Sequence, residues 1–336
     1  MVLYKVVAAM VAALALLLVP CEAKSQLISE PFGLFETLFS SAALPAREGY
    51  YFAPGIKKFF NSFTSYQFPN PFSPGQDPLS RLEFPIDQWF AGLRVGCESR
   101  LWAFDGQGWV NATRESGKRM QDSDWDDEAA PFQKTIFSES HCRLNRSLLS
   151  DLRVAFATPL DTIINSRNLW PVVGYRYQHF YFTTHDGEQA EFGGGSGSLE
   201  GDGIDFKQTF HQLYLGARAK CSLDTLLRQW LPEGLAFEVQ FDYALVRGKN
   251  EDLHLLREGD RLTTQRTAGH CWHAFGALAF SAPNNMLARI EVDFKRSMTD
   301  GAHQLTNGVF DIDFSFSGSR VWSDQLSLWL ALQLTL

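Results

Sequence analysis

Beyond residue 19 the chain has no stretch long and apolar enough to cross a bilayer as a helix, although 45% of its 336 residues are hydrophobic. Basic charge is in deficit as well: 30 Lys and Arg stand against 38 Asp and Glu, a net charge of -8, which argues against nucleic acid as a partner. Cysteine is sparse. Of the five, Cys21 falls in an N-terminal leader, and Cys97, Cys142, Cys221 and Cys271 fall on no two adjacent strands at one height, so their pairing stays open. Metal spacing is missing from His270-Cys271-Trp272-His273, because residues three apart on a strand face opposite sides. Gly193-Gly194-Gly195-Ser196-Gly197 lacks the following helix and the Lys of a phosphate cradle and reads as a flexible loop tip. No metal and no cofactor is expected.

What the chain does have is alternation. Leu328, Leu330, Leu332, Leu334 and Leu336 hold Trp329, Ala331, Gln333 and Thr335 between them, a strand with one apolar face at the carboxyl end. The same dyad runs through Leu235 to Ala244, Met286 to Lys295 and Phe310 to Ser317. A soluble sandwich also alternates. Three features together favour an outer-membrane barrel instead: the carboxylates on the inner face, the terminal strand and the leader. In that leader Lys5 precedes an apolar run from Val6 to Val19, and Cys21-Glu22-Ala23 supplies small residues at a cleavage site. Aromatics at 14%, with 28 Phe, suit interfacial girdles and a lipid-facing band. The acidic inner face would favour cationic ligands.

The expected fold is all-β, a transmembrane antiparallel β-barrel of about ten long strands with an irregular N-terminal extension. Residues 1–23 read as the signal peptide, 24–55 as a periplasmic extension or plug, and 56–336 as the barrel. Strands are expected near 56–68, 79–95, 98–113, 138–157, 170–185, 204–221, 235–254, 263–281, 285–300 and 308–336. Gly318-Ser319-Arg320 is expected to be a bulge within the last strand, since a turn there would break the even parity. Residues 114–137, 186–203 and about 250–262 read as long outer connections, and Ala282-Pro283-Asn284-Asn285 as a tight inner turn.

Two outer-side stretches carry chemistry. In Asp122-Ser123-Asp124-Trp125 the carboxylates, two apart, share a strand face and their ionisations couple. In Asn250-Glu251-Asp252-Leu253-His254 the inward register of Glu238, Gln240 and Asp242 continues through Asn250, Asp252 and His254. A carboxylate beside an imidazole fixes its tautomer and raises its basicity, as a water-activating base needs. The register of Leu101, Asp105, Gln107 and Asn111 does not run unbroken to Asp122, so a bulge or loop must intervene. Acidic outer loops that merely bind cations are the bland alternative.

These residues resemble the omptins, outer-membrane endopeptidases built as long ten-stranded barrels. Asp122-x-Asp124-Trp125 is similar to the family's paired-aspartate motif and Asp252-x-His254 to its Asp-His pair, in the same order. Shorter matches are Leu79 to Phe84, Gly174-Tyr175 and Phe206-Lys207-Gln208-x-Phe210. The resemblance implies that Asp122, Asp124, Asp252 and His254 hydrolyse a peptide or protein substrate through an activated water, without a covalent intermediate. It also implies departures. The family's pocket for the residue before the cleaved bond holds Arg or Lys with two acids, and the matching positions here are Gln67 and Asn250, so strict basic preference should be lost. The family's basic lipopolysaccharide cluster corresponds to Tyr175, Tyr177, His179 and Thr209, which leaves lipid as a partner without its basic site. Leu336 replaces the usual terminal aromatic. A non-catalytic adhesin or binding barrel on the same scaffold is the alternative; a solute pore is disfavoured because inward Glu238, Gln240, Asp242, Arg289 and Glu291 would fill the lumen.

Overall fold

A computed structural model describes residues 49–73, 75–157, 169–222, 235–259, 261–282 and 286–336. The leader, the extension as far as residue 48 and residues 283–285 of the expected inner turn lie outside the described residues. Thirteen strands form one antiparallel sheet: β1 (Gly49–Phe68), β2 (Ser80–Pro85), β3 (Trp89–Glu98), β4 (Trp102–Asn111), β5 (Met120–Asp124), β6 (Ile136–Leu144), β7 (Leu148–Phe156), β8 (Leu169–Glu191), β9 (Ser196–Ser222), β10 (Leu235–His254), β11 (Arg261–Ala282), β12 (Met286–Asn307) and β13 (Ile312–Thr335). Pairing of β13 with β1 closes it.

The ring is ten strands around. Three long strands are each broken in two, so β2 and β3 share the flank of β1, β5 and β4 come next, then β6 and β7 against β8. The break between β2 and β3 matches a bulge in β1 between Phe60 and Phe63, where Asn61 takes a φ of 45° and the Asp87 carboxylate accepts from the Ser62 amide at 2.9 Å. A bulge adds one residue, and one residue reverses the faces of everything after it. Below it Lys57 and Phe59 point inward; above it Thr64, Tyr66 and Phe68 do.

Outward positions of the lower barrel are apolar and exposed, among them Leu93, Leu152, Leu213, Leu245, Ile290 and Leu330. Surface of this kind is stable only against hydrocarbon. Inward positions are polar and buried. The carboxylates expected to make an acidic lining are neutralised in place: Asp105 meets Arg94 at 2.5 Å and Arg153 at 3.1 Å, Glu238 meets Arg218 at 2.7 Å and Arg289 at 2.8 Å, and Asp242 meets His273 at 2.6 Å. Arg176 joins Asp151 at 3.1 Å to Asp242 at 3.4 Å. These layers fill the lower lumen, as the inward Glu238, Gln240, Asp242, Arg289 and Glu291 require.

Several expected boundaries move. β1 starts at Gly49 rather than near residue 56. The stretch 114–137 contains strand β5, paired with β2 and β6, and 186–203 shrinks to a hairpin turn between Glu191 and Ser196. Gly318 is the bulge in an unbroken β13: Gly301 pairs with Ser319 and Ala302 with Ser317, leaving Gly318 over at a φ of 98°, which glycine adopts without strain. Cys97, Cys142, Cys221 and Cys271 are unpaired. His273 lies buried in the lumen while His270 stacks on Tyr243 at 5.8 Å outside.

Candidate active site at the barrel mouth

The sheet outgrows the apolar belt on one side, and the two acidic stretches meet there. On β5, Asp122 lies opposite Leu82 and Asp124 opposite Ser80, so both share the inward face of those residues. The parity change from Asp105 to Asp122 is taken up at 112–119, between β4 and β5, where the chain is tied to β6 only through the bridge of Glu115 with Arg143. On β10 the pairing with β9 and β11 runs without a shift from Ala236 to His254, which carries Asn250, Asp252 and His254 inward together.

Aromatic rings bind the two sides. Phe84 of β2 stacks on Phe206 of β9 at 4.3 Å, and Tyr66 of β1 stacks on Phe206 at 5.4 Å. Tyr66 also donates its hydroxyl to Oδ2 of Asp252. The same oxygen lies 3.3 Å from His254 Nε2, while Asp252 Oδ1 is buried without a partner. Asp252 therefore holds the imidazole with an oxygen that is itself fixed from across the barrel.

Charge is unevenly settled here. Burial, then the neighbouring Asp124, pushes the Asp122 carboxyl up to about 7, against the pull of His254, Arg257 and Arg261. Burial also raises Asp124, while the Ser80 hydroxyl opposes this. Two carboxyls raised side by side each hold a proton more tightly than an isolated one would. Asp122 keeps part of its surface open, yet its Oδ1 is enclosed and unpaired. Burial by itself would lower His254, but Asp252 outweighs it and the imidazole is raised. Arg261, opposite His254 in the β10–β11 pairing, is lowered by burial and by Arg257 beside it. No group of three or more His, Cys, Asp or Glu suited to hold a metal occurs among the described residues.

Gln67 does not join this site. With Tyr66 and Phe68 inward, Gln67 is turned to the other face of β1, where its Oε1 accepts from Arg81 at 2.7 and 3.0 Å. Sequence spacing could not show the reversal at Asn61. Asn250 does lie inward, bonded through Nδ2 to Gln265 Oε1 at 2.8 Å. Residues missed in the sequence are Tyr66, Gln208, Gln265, His303 and Arg261; the first needs the bulge, the others follow once β9 to β12 are paired in register.

On the outer wall His179 bonds Thr209 at 3.0 Å and Tyr175 bonds His211 at 2.6 Å. Lys207 of β9, Arg247 and Lys249 of β10 and Arg266 of β11 are exposed on the same face, with Lys249 opposite both Thr209 and Arg266 and paired with Glu251 at 2.5 Å.

No curated protein matches the sequence. Among solved structures, the outer-membrane protease OmpT from Escherichia coli shares the fold with a TM-score of 0.73 at 16% identity, over 88% of this chain and 99% of that one. The translocator domain of the autotransporter NalP from Neisseria meningitidis reaches 0.31 at 7% identity, over 92% and 96% of the two chains. The Pseudomonas putida toluene transporter TodX reaches 0.32 at 9%, over 88% and 92%, and neither likeness bears on function. The model of the Omptin family matches residues 86–296, a span that takes in the aspartate pair on β5 and the Asp-His pair on β10. The chain thus belongs to the omptin family and has the outer-membrane protease fold.

Proposed function

We propose that this protein is an endopeptidase of the Gram-negative outer membrane whose reactive groups, Asp122, Asp124, Asp252 and His254, face the extracellular side. The observation that carries this reading is that the Asp122 and Asp124 carboxyls of β5 and the His254 imidazole held by Asp252 on β10 all face inward at one barrel mouth. A water between them loses its proton to His254 Nδ1, the ring nitrogen that Asp252 leaves free, as its oxygen attacks the scissile carbonyl. Asp252 stabilises the imidazolium that forms. A proton held by the Asp122 and Asp124 pair is donated to the developing oxyanion, and the imidazolium then protonates the leaving amine. No step needs a covalent intermediate or a cofactor.

Peptide or protein is the substrate in this reading. The exposed Lys207, Arg247, Lys249 and Arg266, just beyond outward Leu213 and Leu245, support contact with phosphate-bearing outer-leaflet lipid, lipopolysaccharide included. The test is turnover of a peptide by refolded protein: His254→Ala and Asp122→Ala should each lower it by roughly a hundredfold to ten-thousandfold. Heat-modifiable migration on gels serves as the folding control. Unchanged turnover in either folded variant removes that residue from the mechanism.

A further inference from the structure

A line of aromatic rings climbs the inner face of the mouth from the reactive groups to the rim. It begins at Tyr66, whose hydroxyl holds Asp252, and passes to Phe68 at 6.4 Å, Phe316 at 6.1 Å and Phe314 at 5.3 Å between ring centroids. Phe314 then stacks on Phe72 of the β1–β2 connection, the centroids 5.3 Å apart and the planes 8° from parallel. The bulge at Gly318 makes the line possible. Ser319, Val321 and Ser323 point inward below it, so an unbroken register would turn Phe314 and Phe316 out; the extra residue instead sets Phe316 opposite the buried His303 and Phe314 opposite Leu305.

The lower rings are packed and the upper ones are open. Phe68 is 9% exposed, whereas Phe72 is 81% exposed and Ile312, the next inward residue on β13, is 40% exposed. Phe72 is nevertheless held in place: Asn70 Oδ1 accepts from its amide at 2.9 Å, and Asn70 donates through its own amide to the Gln76 carbonyl at 2.9 Å and through Nδ2 to Gln76 Oε1 at 2.6 Å. A large apolar ring presented to water on a bonded loop marks a contact surface. It lies above the apolar belt and against the inward Phe314, so hydrocarbon does not cover it and a guest reaches it from the cleft.

Register gives the distance to the reactive groups. Asp252, Thr263, Leu305 and Phe314 stand at one height on β10, β11, β12 and β13. Three strand spacings separate Phe314 from Asp252 along the wall, about 14 Å. An extended peptide covers that in about four residues at roughly 3.3 Å each.

We propose that Phe72, Phe314 and Ile312 form an outlying subsite for an aromatic side chain of the peptide substrate, about four residues from the cleaved bond. The placement relative to that bond rests on the endopeptidase reading. A ring seated on the free face of Phe72 extends the stack that Phe314 begins and removes apolar surface from water on both partners. A small hydroxyl side chain at the same place gains neither.

The test uses the full chain and a polar host peptide in which a single Phe is moved position by position, with Ser at the same position as reference. Binding is read by fluorescence anisotropy on the His254→Ala protein, and turnover on wild type. One position about four residues from the cleaved bond should favour Phe over Ser by about tenfold in affinity and in kcat/KM, carried by KM with kcat unchanged. Phe72→Ala should bring the two peptides level and Phe72→Trp should keep them apart; Phe314→Leu repeats the check from the strand, with heat-modifiable migration as the folding control. No Phe advantage at any position, or one that survives Phe72→Ala, overturns the inference. Phe72-dependent self-association in place of peptide binding assigns the rings to a second copy of the chain and also overturns it. Phe72-dependent peptide binding without hydrolysis by wild type upholds the subsite and defeats the endopeptidase reading.

Discussion

The Tyr66 hydroxyl of β1 reaches across the barrel to the Asp252 carboxylate of β10, on the oxygen that also holds His254 Nε2 at 3.3 Å. This contact ties the reactive imidazole to the strand on the far side of the mouth, and it exists because the bulge at Asn61 turns Tyr66 inward.

Tyr66→Phe should therefore lower kcat/KM by about tenfold to a hundredfold, the worth of a hydrogen bond to a charged group at roughly 1.5–3 kcal/mol. Without that donor Asp252 presents more of its charge to the imidazole, so the acid limb of the pH profile should move to higher pH. A pH-rate comparison with wild type checks it. An unmoved acid limb would make Tyr66 structural only.

The wild-type profile itself should be a narrow bell. His254 must be neutral to take a proton, and although burial opposes it, Asp252 holds its pKa above 6.5, so activity rises as pH climbs through that value. The carboxyl pair must keep its proton, which burial and then Asp124 retain on Asp122 until about 7, so activity falls above that. Asp122→Asn keeps a donor that cannot ionise and should flatten the alkaline limb of the residual activity. Persistence of that limb in the variant would assign it to another group.

Gln67→Glu should leave peptide preference within about twofold of wild type, a change near the 0.4 kcal/mol scale. Its side chain bonds Arg81 on the other face of β1. A shift toward Arg or Lys substrates on this substitution alone would show that residue 67 reaches the cleft after all.

Much of this was legible in the alternation. Strands such as β10 and β12, which run unbroken and carry polar groups on one face and apolar groups on the other, declare both their existence and their register. For the same reason Asn250, Asp252 and His254 could be placed inward from Glu238, Gln240 and Asp242. The broken strands were not legible. At Asn61 and at 112–119 the sheet changes parity through local backbone geometry that leaves no period behind, so β5 read as a loop and Gln67 was assigned to the substrate pocket. The neutralised lumen was also hidden, because Arg94, Arg153 and Arg176 meet their carboxylates across pairs of strands rather than along one.

Cleavage-site mapping by mass spectrometry, with refolded protein and a random peptide library near pH 7, tests the central claim most directly. The account predicts internal peptide-bond hydrolysis by wild type that His254→Ala reduces by at least a hundredfold. An intact library after incubation with correctly folded wild type, or equal cleavage by the variant, would contradict it and leave the barrel as a binding scaffold.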